Sequence, residues 1–179
     1  MPSTPADAKG LLKASIRDGN PVLFIEAAEL YSTDGDVPAE EYTINLGQAD
    51  VKRQGKDITI VAISRVVLET LKAAARLSAE GIEAEVIDPR TIQPLDIATI
   101  INSVKKTRRL LLAADDFVIG GTGAAILSAV HEAVFYDLDA PAKIVGPPFF
   151  PAPANPALER SYMVDENDIA DAARSLLAK

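Results

Sequence analysis

Cysteine is absent from the 179 residues of this chain, which excludes disulfides, thiolate metal sites and a cysteine nucleophile. A cysteine-free chain fits a reducing cytosol, and a cytoplasmic location is expected. Histidine occurs once, at His131, so no paired-histidine or three-histidine metal site can form within the chain. A Ser-His-Asp triad would have to use that one residue. Long apolar runs are missing too. The longest, Ile58 to Ile63, contains Thr59 and is far too short to cross a bilayer. The opening MPSTPADAK has neither the charged nor the apolar region of a signal peptide. Positive charge is scarce: 18 Lys and Arg against 26 Asp and Glu leave a formal net charge of −8. That balance excludes broad electrostatic binding to nucleic acid or to anionic membranes. Apolar residues are plentiful at 48%, enough for the core of one domain, or of one domain with a fragment of a second.

Two periodicities organise those apolar residues. Helical spacing predicts a helix over 5–18, with Thr4 and Asp7 in a capping-box arrangement, Pro5 at the first helical position and Ala8, Leu11, Leu12 and Ile16 inward. A second helix follows Ser64, with Val67, Leu71, Ala74 and Ala75 inward. A third starts near Pro94, with Ile97, Ile100, Ile101 and Val104 inward. The fourth carries His131 beside the stripe Ile126, Ala129, Val130, Ala133 and Val134. Asp165 or Asn167 caps the fifth, where Ile169, Ala172, Ala173 and Leu176 repeat the pattern. Between the helices lie short runs at 22–25, 58–63, 84–87, 110–114 and 143–145. Several are apolar at successive positions, as strands covered on both faces are. From residue 57 onward strand and helix alternate, which predicts a three-layer α/β/α open, mostly parallel sheet with right-handed crossovers.

Residues 1–26 differ in kind, supplying one helix and one strand that cannot enclose a core of their own. From Glu26 to Glu41 the chain carries six carboxylates, a DG turn and a proline, without Lys or Arg, and reads as a linker or surface excursion. The expected division is a remnant at 1–26, a connection at 27–56 and a domain at 57–179.

Two loops at the expected carboxyl edge of the sheet draw attention as sites. The turn Gly120, Gly121, Thr122, Gly123 opens the His131 helix and can either cradle a phosphate or simply turn tightly. Its spacing is not GxGxxG, no Lys follows, and Asp115 and Asp116 beside it would repel an anion. The loop Asp88-Pro89-Arg90-Thr91-Ile92-Gln93-Pro94 brings a carboxylate, a guanidinium and a hydroxyl between stiffening prolines. Its Asp–Arg pair either positions a neighbouring loop or partner chain, or clamps its own loop. The basic run Lys105 to Arg109 falls at a helix C-terminus, where cations complement the helix dipole. It lacks the aromatic interleaving of a nucleic-acid site. His131 reads as an ordinary boundary residue. PPFFPAPANP at 147–156 is too rigid and apolar for a flexible linker, so Phe149 and Phe150 either cover the core or meet a partner. No carboxylate pair, activated nucleophile or metal cluster emerges from these residues.

The combination of segments carries a resemblance. TPADAKGLLKASIRDGNPVLFIE, VPAEEYTINLGQADVKRQGKDITIVAISR and GIEAEVIDPRTIQPLD, followed by GGTGAAI, AVFYDLDAP and NPALERSYMVDENDI, resemble the beta subunit of 2-oxoacid dehydrogenase E1 components. These are the thiamine-diphosphate enzymes of the pyruvate, branched-chain 2-oxoacid and acetoin complexes. The resemblance implies the last helix and strand of a pyrimidine-binding domain, a linker, and a whole transketolase C-terminal domain. It implies that the cofactor-activating glutamate and the substrate-side histidine lie in a part without counterpart here, and that the alpha subunit holds phosphate and magnesium. No catalytic, cofactor or metal residue is therefore carried over, and the chain alone is expected to be inactive. Asp88, Arg90, Thr91, Pro94 and Asp96 match the family's D-x-R-T-x-x-P-x-D loop. Gly120, Gly121 and Gly123, with Asp116 before them, match its glycine turn, and Pro153 with Ala157, Leu158 and Glu159 its tail. Of these, Asp88, Arg90, Thr91, Asp116, Gly120, Gly121 and Gly123 are the structural or partner-contact candidates. Implied partners are the E1 alpha subunit, a second beta subunit and the subunit-binding domain of the E2 acyltransferase, with self-association expected of the isolated chain. Ala27, Leu68 and Ala125 depart from usual family residues, as does VGPPFF. Rival readings are the C-terminal region of a transketolase or deoxyxylulose-phosphate synthase, and a free-standing binding module.

Overall fold

A continuous apolar run need not bury all its side chains in one place. In the computed structural model, which describes residues 1–178, β2 (Ile58–Ala62) is buried along its whole length. It sends Ile58, Ile60 and Ala62 into one core, and Val61, with the following Ile63, into another. The period of two is intact, and both faces are apolar because both are covered. β4 (Leu110–Ala113) divides in the same way, with Leu111 and Ala113 on one side and Leu110 and Leu112 on the other.

The sheet order is β1-β3-β2-β4-β5. β3 (Ala84–Asp88), β2, β4 and β5 (Lys143–Val145) are parallel, and β1 (Asp50–Arg53) pairs antiparallel with β3. From β2 the chain moves one way to β3, then back past β2 to β4 and on to β5. Right-handed crossovers in opposite directions place their helices on opposite faces. Accordingly α2 (Val66–Ala79) shares one core with α6 (Glu166–Leu177), while α3 (Ile97–Thr107) and α4 (Thr122–Val134) share the other. The three-layer α/β/α arrangement is the one the alternation predicts. Under α3 the buried Thr59 hydroxyl lies 2.6 Å from Ser103 Oγ and 2.7 Å from Thr107 Oγ1, which satisfies three hydroxyls inside an apolar layer.

Capping agrees with the sequence. The Thr4 side chain accepts from the Asp7 amide ahead of α1 (Pro5–Arg17), and Asp96 accepts from the Thr99 amide ahead of α3. Asp165, rather than Asn167, caps α6 in a full capping box with Asp168. The box at α1 is incomplete, because Asp7 turns to other partners.

Four expectations are corrected. Residues 22–25 form no strand; they are extended, unpaired and partly exposed, since the run has strand-forming side chains but no strand edge beside it. The edge strand is instead β1, a charged Asp-Val-Lys-Arg stretch inside the segment read as a connection. A short helix, α5 (Pro156–Tyr162), follows the proline-rich loop, with Asn155 as its cap. The inward faces are narrower than read: Leu12, Ile16, Ala75, Ile97, Ala129 and Ala133 are exposed. Lys179, the last residue of the domain expected over 57–179, lies outside the described residues. Among those residues no helix is long and apolar enough to cross a membrane.

Replacing Ile60 (0% exposed) by Ala should lower the unfolding free energy by about 2–5 kcal/mol. The same change at Ile16 (75% exposed) should stay within roughly 0.5 kcal/mol. Urea denaturation of both variants checks the contrast.

Candidate functional site

The two sequence-selected loops stand at the carboxyl edge of the sheet, one after β3 and one after β4, on either side of β2. Each gathers its own residues, and they do not merge into one cluster.

After β3, Asp88 is fully buried; it accepts from Ser3 Oγ and from the Arg90 amide at 2.8 Å. Arg90 has a left-handed backbone (φ 60°), which aims its guanidinium back over the sheet edge. Its Nε donates to Asp7 Oδ1 at 2.8 Å and its Nη2 to Asp50 Oδ2 at 2.9 Å. Lys52 of β1 lies between the same carboxylates, 2.7 Å from Asp7 and 2.8 Å from Asp50, with Asp88 at 3.9 Å. Thr91 Oγ1 donates to the Pro94 carbonyl at 2.6 Å and accepts from the Gly47 amide at 3.0 Å. Asp96 also accepts from the Ala49 amide at 3.0 Å. The loop therefore does both things the sequence left open: it clamps itself and it positions neighbours, namely α1 and residues 47–50.

Charge in this cluster is uneven. Burial pushes the Asp7 carboxyl up, but hydrogen bonds from Lys52 and Thr4 and the charges of Lys52 and Arg90 outweigh it and hold Asp7 below the ordinary carboxylate value. Burial likewise pushes Asp88 up; its hydrogen bonds and the more distant Lys52 offset only part of this, and the Asp7 charge adds to it.

After β4, Arg65 binds Asp115 in bidentate fashion, Nε to Oδ2 and Nη2 to Oδ1, both at 2.7 Å. Asp116 turns the other way: its Oδ2 accepts from the Thr122 amide at 2.8 Å and from the Thr122 hydroxyl. The amino terminus of α4 is thus already capped by a carboxylate of the chain itself, which favours the tight turn over the phosphate cradle. The glycines have separate reasons. Gly120 is left-handed (φ 79°). A Cβ on Gly121 would lie 2.2 Å from the Phe117 carbonyl and 2.4 Å from Asp116 Oδ1, and one on Gly123 would lie 2.9 Å from Ile144 Cγ2 of β5.

The remaining motifs resolve as surface. His131 is exposed, with its ring edge-on to Phe135 at 5.2 Å. In the basic run, Lys106 pairs with Glu85, and Arg108 with Asp139 at 2.8 Å. Phe149 and Phe150 are 72% and 52% exposed, against Phe117 and Tyr162 respectively, and cover little of the core. Sequence reasoning missed Lys52, Asp50, Ser3 and Arg65, and took Asp7 only as a capping residue. The contacts that place them, Asp50 to Arg90, Lys52 to Asp7, Arg65 to Asp115 and Ser3 to Asp88, span 40 or more positions, so no local spacing marks the site.

Three substitutions test this geometry. Asp88 has a raised folded value, so its contribution favours the fold below the ordinary carboxylate pKa and is lost as pH rises through the folded value. Asp88→Asn should therefore gain stability relative to wild type as pH rises above the ordinary carboxylate value of about 4. Asp7 has a lowered value, so its contribution is present at neutral pH and lost as pH falls. Asp7→Asn should cost on the order of 3 kcal/mol at neutral pH and less in acid. Urea titrations at several pH values read both signs. Gly121→Ala should displace the Asp116 cap, seen as faster hydrogen exchange at the Thr122 amide.

With the geometry in hand, the likenesses to other proteins can be placed. Residues 47–169 match the family described as transketolase, C-terminal domain. The chain is 44% identical to the 2-oxoisovalerate dehydrogenase subunit beta of Bacillus subtilis over 178 residues, covering 98% of this chain and 54% of that protein. It is 44% identical to the pyruvate dehydrogenase E1 component subunit beta of the same organism, covering 99% and 54%. The beta subunit of its acetoin:2,6-dichlorophenolindophenol oxidoreductase is 42% identical, covering 100% and 52%. Among solved structures, a split-gene transketolase in an inactive tetramer of beta chains superposes with a TM-score of 0.65 at 28% identity, covering 80% of this chain and 46% of that one. The chain spans about half the length of the curated relatives it matches. It belongs to the transketolase C-terminal domain family, and its likeness to 2-oxoacid dehydrogenase E1 beta subunits runs through nearly its whole length.

Proposed function

We propose that this chain is the C-terminal portion of the beta subunit of a thiamine-diphosphate-dependent 2-oxoacid dehydrogenase E1 component. It serves subunit assembly and docking of the E2 acyltransferase, and is not catalytically competent alone. The observation that carries this reading is the even identity, 42–44%, to beta subunits of three different enzymes across practically the whole chain. An overall identity that does not favour the enzyme named for 2-oxoisovalerate, pyruvate or acetoin suits a common scaffold, with substrate choice made elsewhere.

The residues present do not fit a diphosphate with its metal. The glycine-opened helix terminus is taken by Asp116, and no group of three His, Cys, Asp or Glu side chains placed to hold a metal occurs among the described residues. Thiamine diphosphate and magnesium are accordingly assigned to the complete enzyme, with an alpha subunit as partner. We further divide the chain into residues 1–26 of a pyrimidine-binding domain, a connection at 27–56 and the transketolase C-terminal domain at 57–179. The extended, unpaired segment 22–25 suits a strand whose sheet is completed by another chain or segment. Leu11 is covered within the chain, whereas Leu12, Val22, Leu23 and Ile25 stay exposed. Hiding each such side chain is worth about 1.5–3 kcal/mol, which favours self-association of the isolated chain. The beta-only tetramer of the split-gene transketolase supports the same expectation. That likeness also keeps a transketolase reading as the alternative, at a lower identity of 28%. A cytoplasmic location accords with the cysteine-free composition.

Native mass spectrometry after mixing the chain with an E1 alpha subunit of a 2-oxoacid dehydrogenase should show a mixed complex containing both. Capture of no alpha subunit, saturable thiamine diphosphate binding by the chain alone, or its unaided turnover of a 2-oxoacid would each overturn the proposal.

A further inference from the structure

Helix α1 is fastened to the sheet by charge more than by apolar contact. Of its large apolar side chains only Leu11 is buried, with Leu12 and Ile16 exposed at 43% and 75%. Its backbone and polar side chains reach mainly the extended strap 38–44. The Ile44 amide donates to the Gly10 carbonyl at 3.1 Å, Tyr42 Oη donates to the Ala6 carbonyl at 2.8 Å, and Lys9, Lys13 and Arg17 bind strap oxygens. Gly10 presses so closely on the strap that a Cβ there would lie 2.6 Å from Ile44. Helix and strap thus form one packed pair. Toward the sheet, the tie made by α1 itself is Asp7, 1% exposed, held by Lys52 from β1 and Arg90 from the loop after β3. The residues just ahead of the helix add to it, with Ser3 donating to Asp88 and the Met1 amino group to the Arg90 carbonyl at 2.8 Å.

We propose that the Asp7–Lys52–Arg90 cluster is a latch: α1 and the strap 38–44 open from the sheet as a unit, and ion pairing sets the closed position. A buried ion pair adds little net stability over apolar packing, but losing one partner leaves the other charge buried and uncompensated. The closed state is therefore narrow in geometry and sharply dependent on each charge. The latch also sets the width of a groove of about 580 Å³. Leu11 and Ser15 of α1, Thr91 to Pro94 of the latch loop, Phe24 and Leu46 line it together. Opening the latch separates the α1 residues from the loop. The device acts within this chain and is independent of the function proposed above.

Hydrogen exchange of the full chain, followed by mass spectrometry across low urea concentrations, tests it. In the wild type, α1 amides should exchange through an opening that exposes less surface than the one releasing β2 and β4. In Arg90→Met the lost contact belongs to the closed state alone, so exchange in α1 and in residues 58–62 and 110–113 should rise together by about 100-fold or more. Asp7→Asn should do the same. Ile60→Ala, which weakens the sheet and not the latch, should speed exchange of residues 58–62 and 110–113 and leave α1 at its wild-type rate. One shared opening for α1 and the strands in wild type overturns the latch, as does an Arg90→Met variant that leaves α1 unchanged or an Ile60→Ala variant that speeds α1 with the strands. If the variants do not fold, the wild-type urea dependence decides the matter alone.

Discussion

Burial of β2 on both faces is the constraint from which the rest of the architecture follows. A strand buried at every position, and apolar at all but Thr59, cannot lie against solvent on either side, so helices must cover both faces of the sheet. The handedness of the crossovers then leaves little choice. Neighbours taken first to one side and then to the other require helices on opposite faces, and the reversal brings the loops after β3 and β4 to one edge on either side of β2. Those two loops hold Asp88, Arg90, Thr91, Asp116, Gly120 and Gly121, with Gly123 in the first turn of the helix that follows.

What occupies that edge is polar and, apart from the buried Asp116 Oδ1, which has no hydrogen-bond partner, internally satisfied. Asp115 is taken by Arg65, Asp116 by Thr122, and Asp7, Asp50 and Asp88 by Lys52, Arg90 and Ser3. In an open α/β sheet this edge is where ligands generally bind. Here its charged groups are used to connect segments of the same chain. This accords with the assembly role proposed for the chain, whose relatives are named for different substrates while resembling it to a similar degree.

Much of the fold was legible in the sequence, for reasons that also explain the misses. Ile100 and Val104, or Ile169, Ala173 and Leu176, announce their helix because each period repeats within two turns. β1 does not announce itself, since Asp-Val-Lys-Arg is a half-buried edge strand whose side chains serve an ionic cluster. VLFI misleads in the opposite sense: side chains show what a segment can become, whereas pairing requires an edge to pair with. α5 has its signals in Asn155 and Pro156, hidden by the prolines around them. The candidate residues Asp88, Arg90 and Thr91 were found as a loop, but their partners Asp7 and Lys52 were beyond the reach of spacing. Only the folded chain brings positions 7, 52 and 90 together.

The carboxylate of Asp116 has a meaning beyond holding a turn. Because it is tethered six positions from the amide it binds, it competes with any incoming anion as an intramolecular rival, at an effective concentration that free ligands of ordinary abundance do not match. A glycine turn leading into a helix, the feature most often associated with phosphate binding, is in this chain self-inhibited by its own neighbour.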